Sequence, residues 1–176
     1  RPMAKLKIPV NDKDQRAGNE KSKIVLVESG DYQCPHCGAA HPLIKRLLKE
    51  HNREFLFVFR NFPLQEAHPA AMMAALTAES SGLQGKFWEM HDLIFEHQNE
   101  LDESDMTPFV KALHLNQKKF SQDVQSADIF QKVESDFEGG VHSGVNGTPT
   151  FYINGNRLET YDASYESLAE AVTARH

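Results

Sequence analysis

The chain carries two cysteines, and both fall in one stretch, GDYQCPHCGAAHP, running from Gly30 to Pro42. Cys34 and Cys37 are three residues apart, with Pro35 and His36 between them. That spacing admits a redox couple, half of a metal site, or two inert buried thiols. In the first turn of a helix, positions i and i+3 share a face, within the ~4.4–6.8 Å Cα separation that a disulfide requires. Near the helix amino end, Cys34 meets the positive end of the macrodipole and free N–H groups, which favour thiolate over thiol. Cys37, a turn deeper, is expected to be more shielded. Cys34 would then attack or be attacked, and Cys37 would resolve the mixed disulfide. A histidine at position 36 is expected to stabilise the Cys34 thiolate further. Stabilising the reduced form makes a disulfide more oxidising, so the oxidising half of the range is expected.

The metal reading would use Cys34, Cys37 and His41, with another histidine as fourth ligand. Structural zinc draws on two ligand pairs, and the chain has no second Cys-x-x-Cys. Inert cysteines would have no reason to share a Pro-His turn. The redox reading is favoured, with no metal and no organic cofactor.

The surrounding elements must place those sulfurs. Ile24 to Ser29, IVLVES, reads as a buried strand stopped by Gly30. A helix is expected to begin near Cys34, with Pro35 tolerated in its first turn and Pro42 kinking it two turns on. Glu54 to Phe62, EFLFVFRNF, is a second buried strand. Helical patterns follow at 69–80, 85–97, 104–113, 116–125 and 127–141. Strand character returns at Thr148 to Gly155, and Asn154 to Asn156 signals a hairpin turn into RLET. A closing helix is expected over 163–174. Before Ile24, the alternation of Leu6, Ile8 and Val10 suits a short strand, and 11–22 reads as a loop. Strand, helix, strand, helical block, hairpin and helix make an α/β design with helices covering a central sheet.

Bulk properties set limits. The chain has 176 residues, enough for one full domain, and 40% hydrophobic residues with 11 Phe to fill a core. No apolar run approaches the ~20 residues of a membrane span, so no membrane partner is expected. The net charge is -6 without a basic stripe, which argues against nucleic acid. The glycines at 139, 140, 144 and 147 follow no G-x-G-x-x-G pattern and are read as letting the chain turn before Pro149.

C-P-H-C opening a helix after a buried strand, a helical insertion, and then G-T-P-T-F-Y-I-N-G together resemble the DsbA-like thiol-disulfide oxidoreductases of the thioredoxin fold. FRNFPL and GKFWEMHDLIFEHQ are similar to segments of the short bacterial members, so the resemblance spans Ile24 to Ala174. It implies a thioredoxin-like fold, a central mixed sheet flanked by helices, with a helical insertion between its βαβ and ββα halves. Residues 1–23 would be an N-terminal arm with a short strand, 24–66 and 142–176 the thioredoxin-like domain, and 67–141 the insertion. It implies Cys34 as nucleophile, Cys37 as resolving cysteine, and Pro35-His36 as the tuning dipeptide. Thr148-Pro149 matches the cis-proline segment, which packs beside the disulfide and offers backbone hydrogen bonds to an extended substrate. Glu28, six residues before Cys34, matches a buried acid that accepts or relays the proton of Cys37. The plain alternative is a strand-edge glutamate facing water. Some members pair that acid with a lysine on the next strand. FLFVF has none, and Arg60 is the nearest cation.

Other residues receive plainer expectations. His68, Ala70, Met72 and Met73 either line a substrate groove or, as favoured, belong to a core helix. Phe87, Trp88 and Phe95 are expected to pack the insertion onto the sheet. His91, His97, His114 and His142 show no sequence partner and are read as surface or core residues.

The expected function is exchange of a Cys34–Cys37 disulfide with protein or peptide thiols, together with an unidentified redox partner, in a monomer. The alternatives are a cytoplasmic protein-disulfide reductase or isomerase, and a non-catalytic peptide-binding or chaperone-like module. No signal peptide is visible in the opening residues. A native start at Met3 would make the protein cytoplasmic, which is favoured. Removal of a signal peptide would make it periplasmic or exported.

Overall fold

The computed structural model describes residues 4–174; a start at Met3 lies outside them. The element order is β1 (Gln15–Gly18), β2 (Val25–Gly30), α1 (Pro35–His51), β3 (Leu56–Asn61), α2 (Ala71–Gly82), α3 (Phe87–Glu96), a 3-10 turn at Gln98–Glu100, α4 (Thr107–Ala112), α5 (Gln117–Val124), α6 (Ala127–His142), β4 (Thr150–Ile153), β5 (Asn156–Arg157) and α7 (Tyr165–Thr173). The five strands form one mixed sheet in the order β1-β3-β2-β4-β5. β2 and β3 are parallel, joined by α1, with Glu28 opposite Phe59 and Ser29 opposite Arg60. The other pairings are antiparallel. This is the thioredoxin-like fold, with helices α2 to α6 inserted between β3 and β4.

Period-two alternation sends successive side chains to opposite faces of the sheet. Leu26, Phe57, Phe59, Phe151 and Ile153 join the larger core cluster, which also holds Cys34, Cys37 and the buried face of α1. Val27, Leu56, Val58 and Tyr152 form a smaller cluster on the other face, with Phe62 and Val145. The insertion is fastened by aromatic contacts, Trp88 against Phe57 and Phe95 against Phe59, as its spacing predicts. Serine and asparagine caps start three helices: Asn116, Ser126 and Ser164 each accept an N–H from three residues on. α1 runs through Pro42 as one helix of 17 residues.

Three local expectations are corrected. The arm's strand lies at Gln15–Gly18, inside the stretch read as a loop, because β3 offers it a partner that no local pattern announces. Leu6, Ile8 and Val10 form no strand; Lys5 makes a single bridge to Asn156, and Leu6 N–H donates to Gly155 O at 2.8 Å. Gly139 and Gly140 are not turn residues but lie buried within α6. A Cβ on Gly140 would stand 2.6 Å from Phe62 Cδ1, so this glycine sets how closely α6 approaches the chain leaving β3.

The arm is also held by a buried ion pair. Arg60 Nε and Nη2 donate to the two carboxylate oxygens of Asp14 at 2.9 and 2.8 Å. Its Nη1 and Nη2 donate to the carbonyls of Ile8 and Pro9. Burial pushes the Asp14 carboxyl up, but the Arg60 hydrogen bonds and charge outweigh it and hold the group below its ordinary value. Removing one partner of such a pair leaves an uncompensated buried charge. Arg60→Met is therefore expected to cost about 3–5 kcal/mol in denaturant-induced unfolding, whereas replacing both residues by apolar ones of similar volume is expected to cost much less.

Candidate functional site

β2 ends at Gly30, and residues 31–33 turn the chain into α1, with Cys34 as its N-cap. Asp31 builds that turn. Its carboxylate accepts Gln33 N–H at 2.8 Å and Leu64 N–H at 3.0 Å, and its carbonyl accepts Cys34 N–H at 3.2 Å. The His68 ring donates through Nδ1 to the same carboxylate at 2.8 Å. Asp31 N–H in turn donates to Cys37 Sγ at 3.4 Å. Gln98, just beyond α3, donates through Nε2 to the carbonyls of Tyr32 and Cys34, at 2.9 and 2.7 Å. A side chain at position 38 would collide with it, a Cβ there standing 2.3 Å from Gln98 Oε1, so Gly38 lets the insertion reach the motif. Tyr32 is buried, its hydroxyl 2.8 Å from His91 Nδ1 and its ring against Phe59 and Phe95.

Both cysteines are free thiols. Cys34 keeps 4% exposure and Cys37 none. The Cys34 thiol is lowered from 9.0 to about 5, chiefly by the hydrogen bond from Cys37; burial opposes this, and Thr148 and the backbone N–H groups of Cys37 and His36 add to it. Cys37 is pushed far up, first by burial, then by its hydrogen bond to Cys34 and the nearby Glu28 charge. Pro35 and His36 are exposed. His36 contributes its backbone N–H to the thiolate.

The Thr148-Pro149 peptide bond is cis. It sits beside the motif, with Cys34 Sγ donating to Thr148 O at 3.6 Å. Glu28 is 3% exposed, so the water-facing alternative does not hold. It shares the sheet face of Leu26 and Gly30, and a Cβ on Gly30 would stand 2.8 Å from Glu28 Oε2. Burial, with the Cys34 charge second, raises its carboxyl from 4.5 to about 8. Arg60, one residue past Glu28's partner Phe59, points to the opposite face and belongs to Asp14, so Glu28 has no cation there.

Cys34, Cys37, Glu28 and Thr148-Pro149 are thus brought together. His41, which the disfavoured metal reading would add to the sulfurs, is not among them: its Nε2 faces Asp92 Oδ1 at 3.5 Å and Glu96 Oε2 at 3.7 Å. Among the described residues, no third His, Asp or Glu joins the two sulfurs at ligand spacing. His68 pairs with Asp31, while Ala70 is buried and Met72 and Met73 pack against the core, as the favoured reading has it. His91 and His97 do have partners, Tyr32 and Glu100. The features missed were Asp31, Gln98 and the pairing of His68 with Asp31. Asp31 had a local signal, an aspartate two residues before the N–H it caps; the other two reach the motif only through the fold.

The comparisons with known proteins agree with this geometry. The family model described as Thioredoxin matches residues 10–174, and the chain belongs to that family. Among solved structures, a thioredoxin-like oxidoreductase from Silicibacter pomeroyi superposes with a TM-score of 0.82 at 20% identity, covering 92% of this chain and 91% of that one. BdbD from Bacillus subtilis gives 0.80 at 21% identity and 97% of both chains. The thiol-disulfide exchange protein alpha-DsbA2 from Wolbachia pipientis gives 0.78 at 22%, covering 92% and 87%. These likenesses establish a fold shared with DsbA-type proteins. The curated relatives include proteins named Na(+)/H(+) antiporter NhaA 1 from Salinispora arenicola, 38% identical over 96% of this chain, and Mycolicibacterium vanbaalenii, 40% identical over 97%. The chain spans 26% and 28% of their lengths, so it matches one part of much longer proteins. Among the described residues, no helix is long and apolar enough to cross a membrane.

Two predictions follow from the electrostatics. The Cys37 thiol is the main stabiliser of the Cys34 thiolate, so Cys37→Ala should raise the Cys34 titration midpoint by about one to two pH units. Cys37→Ser, which keeps a donor, should leave it low; thiolate absorbance or alkylation rate against pH reads both. Glu28 is an acid whose folded value is raised, so it costs nothing below 4.5 and destabilises progressively as pH climbs to about 8. That cost grows by about 1.4 kcal/mol per pH unit across the window. Glu28→Gln should remove the slope, becoming more stable than the parent at pH 8 but not at pH 4 in unfolding titrations.

Proposed function

We propose that the chain is a thiol-disulfide oxidoreductase that passes a Cys34–Cys37 disulfide to protein thiols, working toward the oxidising end of its family. The observation that carries this reading is the inequality of the two sulfurs, Cys34 lowered to about 5 and Cys37 driven the other way. A substrate thiolate attacks Cys34 Sγ, forming a mixed disulfide and breaking the Cys34–Cys37 bond. Cys37 leaves with the electron pair and needs a proton, because a buried thiolate is costly. Glu28 is assigned as the proton source, its carboxyl being protonated below about pH 8. A second substrate thiolate then attacks the substrate sulfur, and Cys34 departs as a thiolate, a good leaving group because its pKa is low. The substrate dithiol loses two electrons, and the cysteine pair gains them. The Thr148-Pro149 backbone is assigned to bind the extended substrate beside Cys34. The name thiol-disulfide exchange protein, borne by a structural neighbour, supports the same chemistry. Neither metal nor organic cofactor enters these steps.

The test is the equilibrium potential of the Cys34–Cys37 pair in a glutathione buffer series. A value near the ~−120 mV end is expected. A value near ~−270 mV would place the protein among reductants and overturn the oxidising direction. Failure to form an intramolecular disulfide would overturn the enzyme reading altogether. Cys34→Ser is expected to abolish exchange with the fold intact.

A further inference from the structure

A second constellation lies between α1 and α3. His41, two turns beyond Cys34, is 94% buried by its 6% exposure, and its Nε2 has no hydrogen-bond partner. That nitrogen is aimed between two carboxylates one turn apart on α3, Asp92 Oδ1 at 3.5 Å and Glu96 Oε2 at 3.7 Å. Zinc bonds of ~2.0–2.2 Å to nitrogen and oxygen at tetrahedral angles place ligand atoms roughly 3.3–3.6 Å apart. The observed separations match that edge length to within a few tenths of an ångström, whereas they are too long for good hydrogen bonds. His91 adds a ring nitrogen, the ligand atoms of His41, His91 and Asp92 all lying within 4.8 Å of one another.

We propose that His41, His91 and Asp92 form a binding site for a divalent zinc-class ion, separate from the cysteines, which ties the helix carrying them to the insertion. The fourth position is left to water or, after rotation of its half-exposed side chain, to Glu96. A carboxylate and the neutral donors of two imidazoles suit such an ion, and Asp92, 34% exposed, gives an entry path. The competitor is Lys45, whose ammonium lies 3.4 Å from Asp92 Oδ2 and 3.6 Å from Glu96 Oε2 on a side chain 49% exposed. The ion would displace it.

The experiment uses untagged protein with its cysteines locked in the disulfide, so that no thiolate binds metal, and titrates zinc against a chromophoric chelator. One zinc per chain is expected, bound at least about tenfold more weakly by His41→Gln and by Asp92→Asn/Glu96→Asn-type replacement at both carboxylates, and more tightly by Lys45→Ala. Zinc should also raise the melting temperature of the parent and not of the double carboxylate variant. If His41→Gln fails to fold, the double variant, altered only at partly exposed positions, decides. Equal binding by the parent and both ligand variants would overturn the proposal, as would no binding by the parent, or binding by Lys45→Ala alone.

Discussion

The chemistry of this protein depends on the depth at which one helix turn meets the sheet. A helix dipole acts on both sulfurs of a Cys-x-x-Cys pair, so it cannot by itself give them different roles. Depth does. Cys37 is closed off against Leu26, Phe57 and the rest of the larger core, while Cys34 remains at the rim as the N-cap. The buried thiol then has one useful thing to do with its proton, which is to donate it to its neighbour. That single S–H bond stabilises one charge and suppresses the other. The position of the turn follows from β2, a strand buried from Leu26 onward, whose end at Gly30 delivers Asp31 to the place where its backbone N–H meets Cys37 Sγ.

A sulfur held at a rim must be held by something other than packing. Polar contacts from distant parts of the chain supply this frame. Asp31 gathers donors from Gln33, Leu64 and His68, and Gln98 grips two consecutive-but-one carbonyls of the turn. Buried polar groups left without partners are expensive, so a network in which each member is satisfied rigidifies its surroundings. The insertion is thus part of the site: the residues after α3 and before α2 fix the backbone on which the cysteines sit. Glu28 is the counterexample, a carboxyl placed in the core without a cation. Its neighbour on the next strand, Arg60, is turned away by the alternation of the sheet and committed to Asp14.

Much of this was legible in the sequence where the physics is local. The Pro-flanked cysteines, the β-branched run of β2, the aromatic spacing of α3 and the Asn-Gly turn each act over a few residues, and each element formed near its expected place. The long-range pairings were not legible. β1 has the composition of a loop, QRAG, and becomes a strand because β3 has an unpaired side. Nothing near His68 or Gln98 in the sequence ties either to the motif until the fold brings them to it. His36 is exposed beside the thiolate and reaches it through its backbone N–H, a contact that any residue there could make. Gly140 misled, since a glycine that permits close packing carries the same letter as one that permits a turn.

The arm before β2 has a consequence for how the protein behaves among other chains. Residues 15–18 pair along β3, while residues 4–6 bond to the hairpin at β5, Leu6 N–H donating to Gly155 O and Arg157 N–H to Ala4 O. Trp88 also takes up the carbonyl of Arg16 on β1, at 3.0 Å. One segment therefore straps both margins of the sheet. Exposed margins are templates for strand-by-strand aggregation, which proteins blunt by covering them. Here the outermost strand on one side is β1, four residues long, and residues 4–6 lie along β5 on the other, so the described residues offer an added strand only short stretches to pair with.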